Sequence, residues 1–272
     1  DNRKGSEGMP SPRKILIMSA SAGAGHMRAA QALEETFRVN YPAVEVKNVD
    51  ALDYTNAVFR NSFRGAYNVM VTHLPRLWGL LYEKTDSDRG RTLLGRVSSL
   101  VDRFNCGSLR AFVREFDPDT IIATHFLGAE VFGPLRRKGR LRATLSIVIT
   151  DFEMHSVWAA EKADMYFAGN EAVSCGLAAR GVSGRISVSG IPIMAAFAET
   201  PRGRSDLRAK LGMRLDAAAI MVSAGGFGMM PMDEAVSLIV DCAPGAQVLA
   251  VAGRNEKLRL ALEALARKRE GS

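Results

Sequence analysis

The stretch Lys14–Ala30, KILIMSASAGAGHMRAA, restricts the fold more than any other part of the sequence. Its apolar start, Ile15–Met18, is typical of a parallel strand that is buried on both faces. Small and polar residues follow from Ser19 to Gly25, so the backbone can turn sharply and lie close to a ligand. Helical periodicity begins at Met27 and continues to Arg38. We therefore predict a strand, a glycine-containing loop and a helix.

His26 stands at the junction between this loop and the predicted helix. A helix N-terminus presents unpaired N–H groups and a positive dipole end, which favour phosphates and other anions. The same field disfavours the imidazolium form, so we expect His26 to stay neutral and able to accept a proton from a hydroxyl. The first candidate chemistry is therefore general-base catalysis by His26.

Strands and helices alternate along the rest of the chain, which indicates an α/β fold with a doubly wound parallel sheet. A polar segment at Thr200–Ser205 is the predicted domain boundary, after which only two strands and two helices follow. We therefore expect a disordered tail over 1–13, a complete Rossmann-like domain over 14–199 and a partial second domain over 200–272. The predicted strands after the first are Val44–Val49, Thr120–Thr124, Ala143–Thr150, Met165–Ala168, Arg185–Ser189, Ala217–Val222 and Gln247–Ala252.

The charge and residue composition favour some classes of binding partner and argue against others. The 36 basic and 29 acidic residues give a net charge of +7, which suits anionic lipid surfaces, nucleotides or nucleic acid. Arginines are spread from Arg60 to Arg114 rather than clustered, which argues against a nucleic-acid partner. The sequence contains no run of about 20 apolar residues that would span a membrane. Cys106, Cys175 and Cys242 have no metal-binding spacing, and we interpret them as reduced interior residues of a cytoplasmic protein.

The stretch Tyr54–Leu81 is rich in aromatic residues at helical spacing, with Arg60, Arg64 and Arg76 between them. Ordinary core packing is one interpretation of this pattern. The other is a helix that docks on a membrane surface, where aromatic rings enter the acyl boundary and arginines meet headgroups.

Three histidines, His26, His125 and His155, follow predicted strands, and parallel sheets bind ligands at the carboxyl ends of their strands. Asp151 ends the most apolar strand, which should hold its carboxylate on a rigid element. Besides general-base catalysis, two chemistries stay open. Gly23-Ala24-Gly25 with Asp50 resembles a weak dinucleotide fingerprint of an NAD(P)-dependent oxidoreductase. The three histidines with Asp151 are also a candidate hydrolytic metal site, although no local ligand pair supports it.

Several motifs in order resemble one family. SASAGAGH, VITDFEMHSVW, VSGIPI, SAGGFGMMP and AVAGRN are similar to the monogalactosyldiacylglycerol synthase and processive diacylglycerol glucosyltransferase family. The resemblance extends over nearly the whole chain from Lys14. It implies a GT-B fold, in which an N-terminal domain takes the lipid acceptor and a C-terminal domain holds most of the nucleotide-sugar donor. It also implies an inverting transfer that needs no metal and no other cofactor.

The resemblance assigns roles residue by residue. His26 corresponds to the base that activates the acceptor hydroxyl, and Asp151 joins it as a catalytic residue. The implied acceptor and lipid contacts are His155, Trp158, Phe59, Phe63 and Tyr67. The implied donor contacts are Gly23, Gly25, His26, Ser223, Gly225, Gly226, Phe227, Arg254 and Asn255.

The implied partners are UDP-glucose or UDP-galactose, diacylglycerol and the anionic surface on the cytoplasmic face of a membrane. The family pattern continues past Ser272 with a loop that grips uracil, ribose and sugar, so we expect this chain alone to bind donor poorly. A membrane-surface binding module of the same fold without catalysis is the alternative, and the oxidoreductase is a less favoured one.

Overall fold

The computed structural model describes residues 14–21, 23–62, 65, 107–159, 162–199, 203–226 and 232–270. The predicted tail and most of the aromatic stretch, including Phe63 and Tyr67, lie outside these residues. The chain divides into two compact units, of which the first ends at Phe197 and the second begins at Ala198.

The first unit is built on a six-stranded parallel sheet with the order β2-β1-β3-β4-β5-β6. Its strands are β1 (Lys14–Ser19), β2 (Glu45–Asp50), β3 (Thr120–Ala123), β4 (Thr144–Val148), β5 (Met165–Ala168) and β6 (Arg185–Val188). The helices in its described residues are α1 (Ala24–Asn40), α2 (Gly107–Phe116), α3 (Phe126–Arg137) and α4 (Glu171–Ala179). The same residues include 3-10 helices at Ala51–Tyr54, Ser156–Trp158 and Ala195–Phe197, and residues 57–62 are also helical.

Helices cover both faces of this sheet, which confirms the α/β doubly wound prediction. Side chains of successive strand residues point to opposite faces. Ile15 and Ile17 of β1 therefore pack in the cluster that contains Ala30 of α1. Leu16 and Met18 pack in the larger cluster on the opposite face. All four β1 side chains are buried, as expected for a strand in the middle of a parallel sheet.

Most of the described strands and helices are those that the sequence predicts, but several begin or end at slightly different residues. The main difference is at α1, which begins at Ala24 rather than Met27, so Gly25 and His26 lie in its first turn. Gly23 precedes it with φ 139°, a backbone conformation that residues with a Cβ rarely adopt. Tyr54 belongs to a 3-10 helix rather than to the start of a long α-helix.

The second unit contains a two-stranded parallel sheet of β7 (Ala219–Ser223) and β8 (Gln247–Val251). Helices α6 (Met232–Cys242) and α7 (Glu256–Glu270) pack together beside it, and its core contains Ala224, Met232, Val236, Ala252 and Leu258.

Helix α5 (Arg204–Lys210) is not among the predicted elements, because its sequence is polar and overlaps the predicted domain boundary at Thr200–Ser205. Arg208 of this helix is buried, and its Nη1 donates to the carbonyls of Arg214, Leu215 and Ala217. These bonds attach α5 to the loop that leads into β7, which is why a polar segment forms ordered structure here.

The cysteine prediction was wrong at two positions. Cys175 and Cys242 are exposed free thiols rather than interior residues, since each lies on the outer face of its helix. Cys106 lies outside the described residues. Across the described part of the chain, no helix has both the length and the apolar character needed to cross a bilayer.

Candidate active site

His26 lies where β1, the glycine loop and α1 meet, at the carboxyl end of the first unit's sheet. It is the third residue of α1, so it belongs to the turn whose backbone N–H groups have no partner within the helix. Among the described residues no side chain caps this turn, and the turn contains no acidic residue. The helix start therefore keeps its positive potential.

Two threonines from neighbouring strands hold His26. Thr150 follows β4, and its Oγ1 lies 2.5 Å from His26 Nδ1. Thr124 follows β3, and its Oγ1 donates to the backbone carbonyl of His26 at 3.0 Å. The Thr124 N–H in turn donates to the Met18 carbonyl of β1 at 3.0 Å. Both the backbone and the ring of His26 are thus attached to the strand ends.

Aromatic rings enclose the His26 imidazole. The His125 ring meets it edge-on, with the ring centroids 4.7 Å apart. The Trp158 ring centroid lies 6.0 Å away, and Trp158 is fully buried. Trp158 Nε1 donates to Asp151 Oδ2 at 2.6 Å, which fixes this carboxylate beside the histidines.

The environment of His26 favours its neutral form. Burial lowers the pKa of His26 below its ordinary value, while the Asp151 charge and a hydrogen bond with the Thr124 backbone raise this pKa by smaller amounts. The pKa of His26 is thus lowered, as predicted, and burial is the largest cause of the lowering. A neutral imidazole close to a carboxylate can accept a proton and be stabilised once charged.

His125 and His155 make hydrogen bonds that stabilise the local backbone. Each is buried, and each uses Nδ1 to accept a backbone N–H two residues ahead, from Leu127 at 3.1 Å and from Val157 at 3.2 Å. They cap α3 and the 3-10 helix at Ser156–Trp158. Burial holds the pKa of His125 well below its ordinary value, and repulsion by the protonated form of His26 is the smaller cause.

This arrangement gives less support to the two alternative chemistries, dinucleotide binding and metal binding. Asp50, the ribose ligand of the dinucleotide hypothesis, uses Oδ1 to accept the N–H groups of Ser21 and Leu52. For the metal hypothesis, no three His, Cys, Asp or Glu side chains are grouped as ligands in the described ranges. The Nδ1 atoms of His125 and His155 are already hydrogen-bonded to backbone.

The predicted acceptor contacts have little exposed surface here. His155 and Trp158 are buried, and Phe59 is partly buried against the main core. Phe63 and Tyr67 lie outside the described residues. Direct contact of these side chains with a lipid acceptor stays a prediction, whereas the structure gives Trp158 a bond to Asp151 and His155 a capping role.

The predicted donor residues of the second unit come together at the carboxyl ends of β7 and β8. The Arg254 N–H donates to the Gly226 carbonyl at 3.0 Å, which joins the loop after β8 to the loop after β7. A Cβ at Gly253 would lie 2.3 Å from the Gly225 carbonyl oxygen, so only glycine allows this approach. Asn255 Oδ1 accepts the Leu258 N–H and caps α7. Phe227 lies outside the described residues.

Thr124 and Thr150 are the site residues that the sequence reasoning missed. Their signal was available, since each is a hydroxyl residue at or just past the end of a buried apolar strand. Such positions open onto the carboxyl edge of a parallel sheet, where ligands bind.

The model of the monogalactosyldiacylglycerol (MGDG) synthase family matches residues 26–193. Monogalactosyldiacylglycerol synthase 1 of Arabidopsis thaliana is 28% identical over 282 residues, covering 96% of this chain and 52% of the relative. The spinach (Spinacia oleracea) enzyme is 27% identical over 261 residues, covering 91% and 49%. The chain therefore spans about half the length of the curated relatives it matches.

Among solved structures, UDP-GlcNAc 2-epimerase from Neisseria meningitidis bound to UDP-GlcNAc matches with a TM-score of 0.50 at 10% identity. The match covers 94% of this chain and 69% of that one, and it concerns the fold alone. The fold is of the GT-B type, as predicted. Because the family model matches more than half of the chain, and its match includes His26, Asp151 and Trp158, the chain belongs to the monogalactosyldiacylglycerol synthase family.

Proposed function

We propose that the protein is an inverting glycosyltransferase that moves a hexose from a UDP-sugar to diacylglycerol or a glycosyl-diacylglycerol. The hydrogen-bonded position of His26 in the first turn of α1, in a chain of this family, carries the proposal. The neutral imidazole is the group that removes the acceptor proton.

The chemical step is a single displacement. The acceptor O–H bond breaks and its proton passes to a nitrogen of His26, while the oxygen forms a bond to the anomeric carbon. The bond from that carbon to the UDP oxygen breaks, and UDP leaves with the electron pair. Because attack and departure occur on opposite faces of the sugar, the configuration at the anomeric carbon inverts.

Asp151 supports this step electrostatically. Its charge raises the pKa of His26, which means that it stabilises the imidazolium that forms as the proton is transferred. The bond from Trp158 Nε1 keeps the carboxylate in place, so little reorganisation accompanies the proton transfer.

The donor contacts are proposed for the two joined loops of the second unit, at Ser223–Gly226 and Gly253–Asn255. Glycine loops at the carboxyl ends of parallel strands allow backbone N–H groups to approach a diphosphate closely. Arg254 lies in the second of these loops and supplies positive charge. These donors can stabilise the leaving UDP, so the proposed reaction needs no metal ion.

We place the reaction at the cytoplasmic face of a membrane, where the protein would bind peripherally. The net charge of +7 favours an anionic lipid surface, and both acceptors are lipids that stay in the bilayer.

The test is a transfer assay with the natural polypeptide that contains this chain. Vesicles containing diacylglycerol and anionic lipid are incubated with radiolabelled UDP-galactose or UDP-glucose in the presence of EDTA. We expect radioactive glycolipid with one of the two donors and an inverted anomeric configuration. Vesicle binding in flotation without any transfer would replace the proposal with the non-catalytic binding module, and stabilisation by NAD(H) rather than UDP would favour the oxidoreductase.

A further inference from the structure

We propose that Thr150 is a positioning residue that selects the tautomer of His26, so that the proton sits on Nδ1 and the lone pair on Nε2. This inference rests on the proposed function. The observation behind it is a hydrogen-bonded row of three groups, His26 Nδ1, Thr150 Oγ1 and the Thr124 carbonyl oxygen.

The order of the strands in the sheet brings these three groups together. Strands β3 and β4 are hydrogen-bonded neighbours, with Ala123 opposite Ile147. Thr124 follows β3 directly and Thr150 follows β4 by two residues, so both reach the carboxyl edge beside the first turn of α1. Thr150 Oγ1 lies 2.5 Å from His26 Nδ1 and 3.5 Å from the Thr124 carbonyl oxygen.

The number of protons on each group shows which group donates and which accepts in these two hydrogen bonds. The Thr150 hydroxyl carries one proton, and the Thr124 carbonyl can only accept. Both contacts are hydrogen bonds at once only if Thr150 donates to the carbonyl and accepts from His26 Nδ1–H. The neutral imidazole then has its lone pair on Nε2, which can take the acceptor proton.

The other two histidines of this edge have the opposite pattern. His125 and His155 accept backbone N–H groups at Nδ1, so each neutral ring carries its proton on Nε2. A backbone N–H is always a donor and permits only that tautomer. A hydroxyl can donate or accept, and the Thr124 carbonyl decides which of the two Thr150 does.

The tautomer matters because burial already lowers the pKa of His26 and keeps the ring neutral. For a neutral ring, the position of the proton decides whether Nε2 is a base or a donor. The threonine also orients the ring, since the hydrogen bond at one imidazole nitrogen fixes the state of the other. In metal sites, loss of the group that orients a ligand histidine in this way costs about 10- to 100-fold in affinity or activity, and we expect a similar effect here.

The first experiment reads the tautomer directly, without activity. Two-bond ¹H–¹⁵N spectra of this chain distinguish protonated from unprotonated imidazole nitrogens, and His26→Asn identifies the His26 signals by their loss. We expect Nδ1–H for His26 in the unmodified chain and in Thr150→Ser. In Thr150→Val, which removes the hydroxyl, we expect the Nε2–H form to become substantial.

Thr144→Val is the matched control. Thr144 lies at the other end of the same strand, and its Oγ1 is 2.9 Å from Thr120 Oγ1, so the variant also removes a threonine hydrogen bond on β4. We expect it to leave the His26 tautomer unchanged. An Nε2–H His26 in the unmodified chain would overturn the inference, even if Thr150→Val failed to fold.

The second experiment measures transfer by the natural polypeptide that contains this chain. We expect Thr150→Val to lower kcat by about 10- to 100-fold with little change in KM for donor or acceptor, and Thr150→Ser to restore most of it. If the tautomer behaves as expected but no variant transfers sugar, the proposed function fails and the positioning inference stands. If transfer occurs and Thr150→Val changes neither tautomer nor kcat, the inference fails alone.

Discussion

The candidate site of the first unit and the predicted donor loops of the second unit are built from different kinds of atoms. Around His26 the contacts are made by side chains, namely the hydroxyls of Thr124 and Thr150, the indole of Trp158 and the carboxylate of Asp151. In the second unit, the loops after β7 and β8 meet mainly through backbone atoms, at the Gly226 carbonyl and around Gly253.

This difference between side-chain and backbone contacts follows from the chemical task proposed for each region. A base needs one atom at one position in a defined protonation state, and packed side chains provide this through burial and directed hydrogen bonds. A diphosphate needs several N–H donors along an open surface, and glycine-containing backbone provides these. Gly225 and Gly226 are accordingly exposed, whereas Trp158 is fully buried. We therefore expect substitutions to act on catalysis in the first unit and on donor binding in the second.

The largest effect is expected at His26. His26→Gln keeps a polar side chain that can still bond Thr150 but removes the base, so kcat should fall by about 100- to 10 000-fold. Transfer assays with the natural polypeptide measure this loss. UDP affinity and vesicle flotation should stay unchanged, and a proportional loss of either would mean that His26 binds a substrate rather than acting as a base.

Gly253→Ala should give the next largest effect, on donor binding and on stability. The added Cβ would lie 2.3 Å from the Gly225 carbonyl oxygen at a backbone φ of 61°, so the two loops must separate. We expect about 2–4 kcal/mol of destabilisation and a clear loss of UDP affinity, measured by denaturant unfolding and calorimetry.

Gly245→Ala is the control for Gly253→Ala. Gly245 has φ 85°, but a Cβ there meets nothing within 4 Å. This variant should cost only the backbone strain of about 1–2 kcal/mol and leave UDP affinity intact. Equal effects of the two variants on UDP affinity would contradict the role given to the contact between the loops.

A smaller effect on catalysis is expected from loss of the bond between Trp158 and Asp151. Trp158→Phe keeps an aromatic ring but removes the Nε1–H that holds Asp151 at 2.6 Å. We expect kcat to fall by about 10-fold and KM to change little, since the carboxylate then moves relative to His26. Asp151→Asn, which removes the charge and retains an oxygen for Trp158, should lower kcat at least as much. A larger change in acceptor KM than in kcat would instead support direct acceptor contact by Trp158.

The smallest effect is a pH-dependent change in stability. Burial keeps the pKa of His125 well below 6.5 in the folded state, so the unfolded chain binds one more proton below that pH. The stability that this group contributes is therefore present above pH 6.5 and is lost progressively as the pH falls below that value.

His125→Asn tests this effect. An asparagine oxygen can still accept the Leu127 N–H and cap α3, but it does not titrate. Urea unfolding at pH 7.5 and 5.5 should show a smaller difference for the variant than for the unmodified chain. An unchanged difference would mean that other groups cause the acid sensitivity.

Much of the fold was predictable because it depends on local patterns. Short apolar runs such as Ile15–Met18 and Ile147–Ile149 can be buried on both faces only in a sheet covered by helices. The failures lie where burial or tertiary contacts override local composition. α5 is polar yet ordered, since Arg208 bonds three carbonyls, and Cys175 and Cys242 are exposed although cysteine is usually buried.

The sequence predicted which residues belong to the candidate site better than it predicted the role of each residue. Its motifs placed His26, Asp151 and Trp158 in one region, and the structure brings these three together. His125 and His155 were predicted together with His26 as residues of one site, whereas Thr124 and Thr150 were not among the predicted site residues. Which atom of a side chain bonds to which neighbour depends on contacts between residues far apart in sequence, as between His26 and Thr150.

The sequence by itself determined the alternation of strands and helices, the position of the glycine loops and the family to which the chain belongs. These follow from hydrophobic period and short motifs, which are local properties. Only the tertiary structure decided that His26 lies within a helix turn rather than before it, and that burial is what keeps it neutral. It also decided that the hydroxyl of Thr150, two residues past β4, faces its Nδ1. The physical reason is that desolvation and hydrogen-bond direction depend on which atoms surround a group, and those atoms come from strands more than 90 residues away.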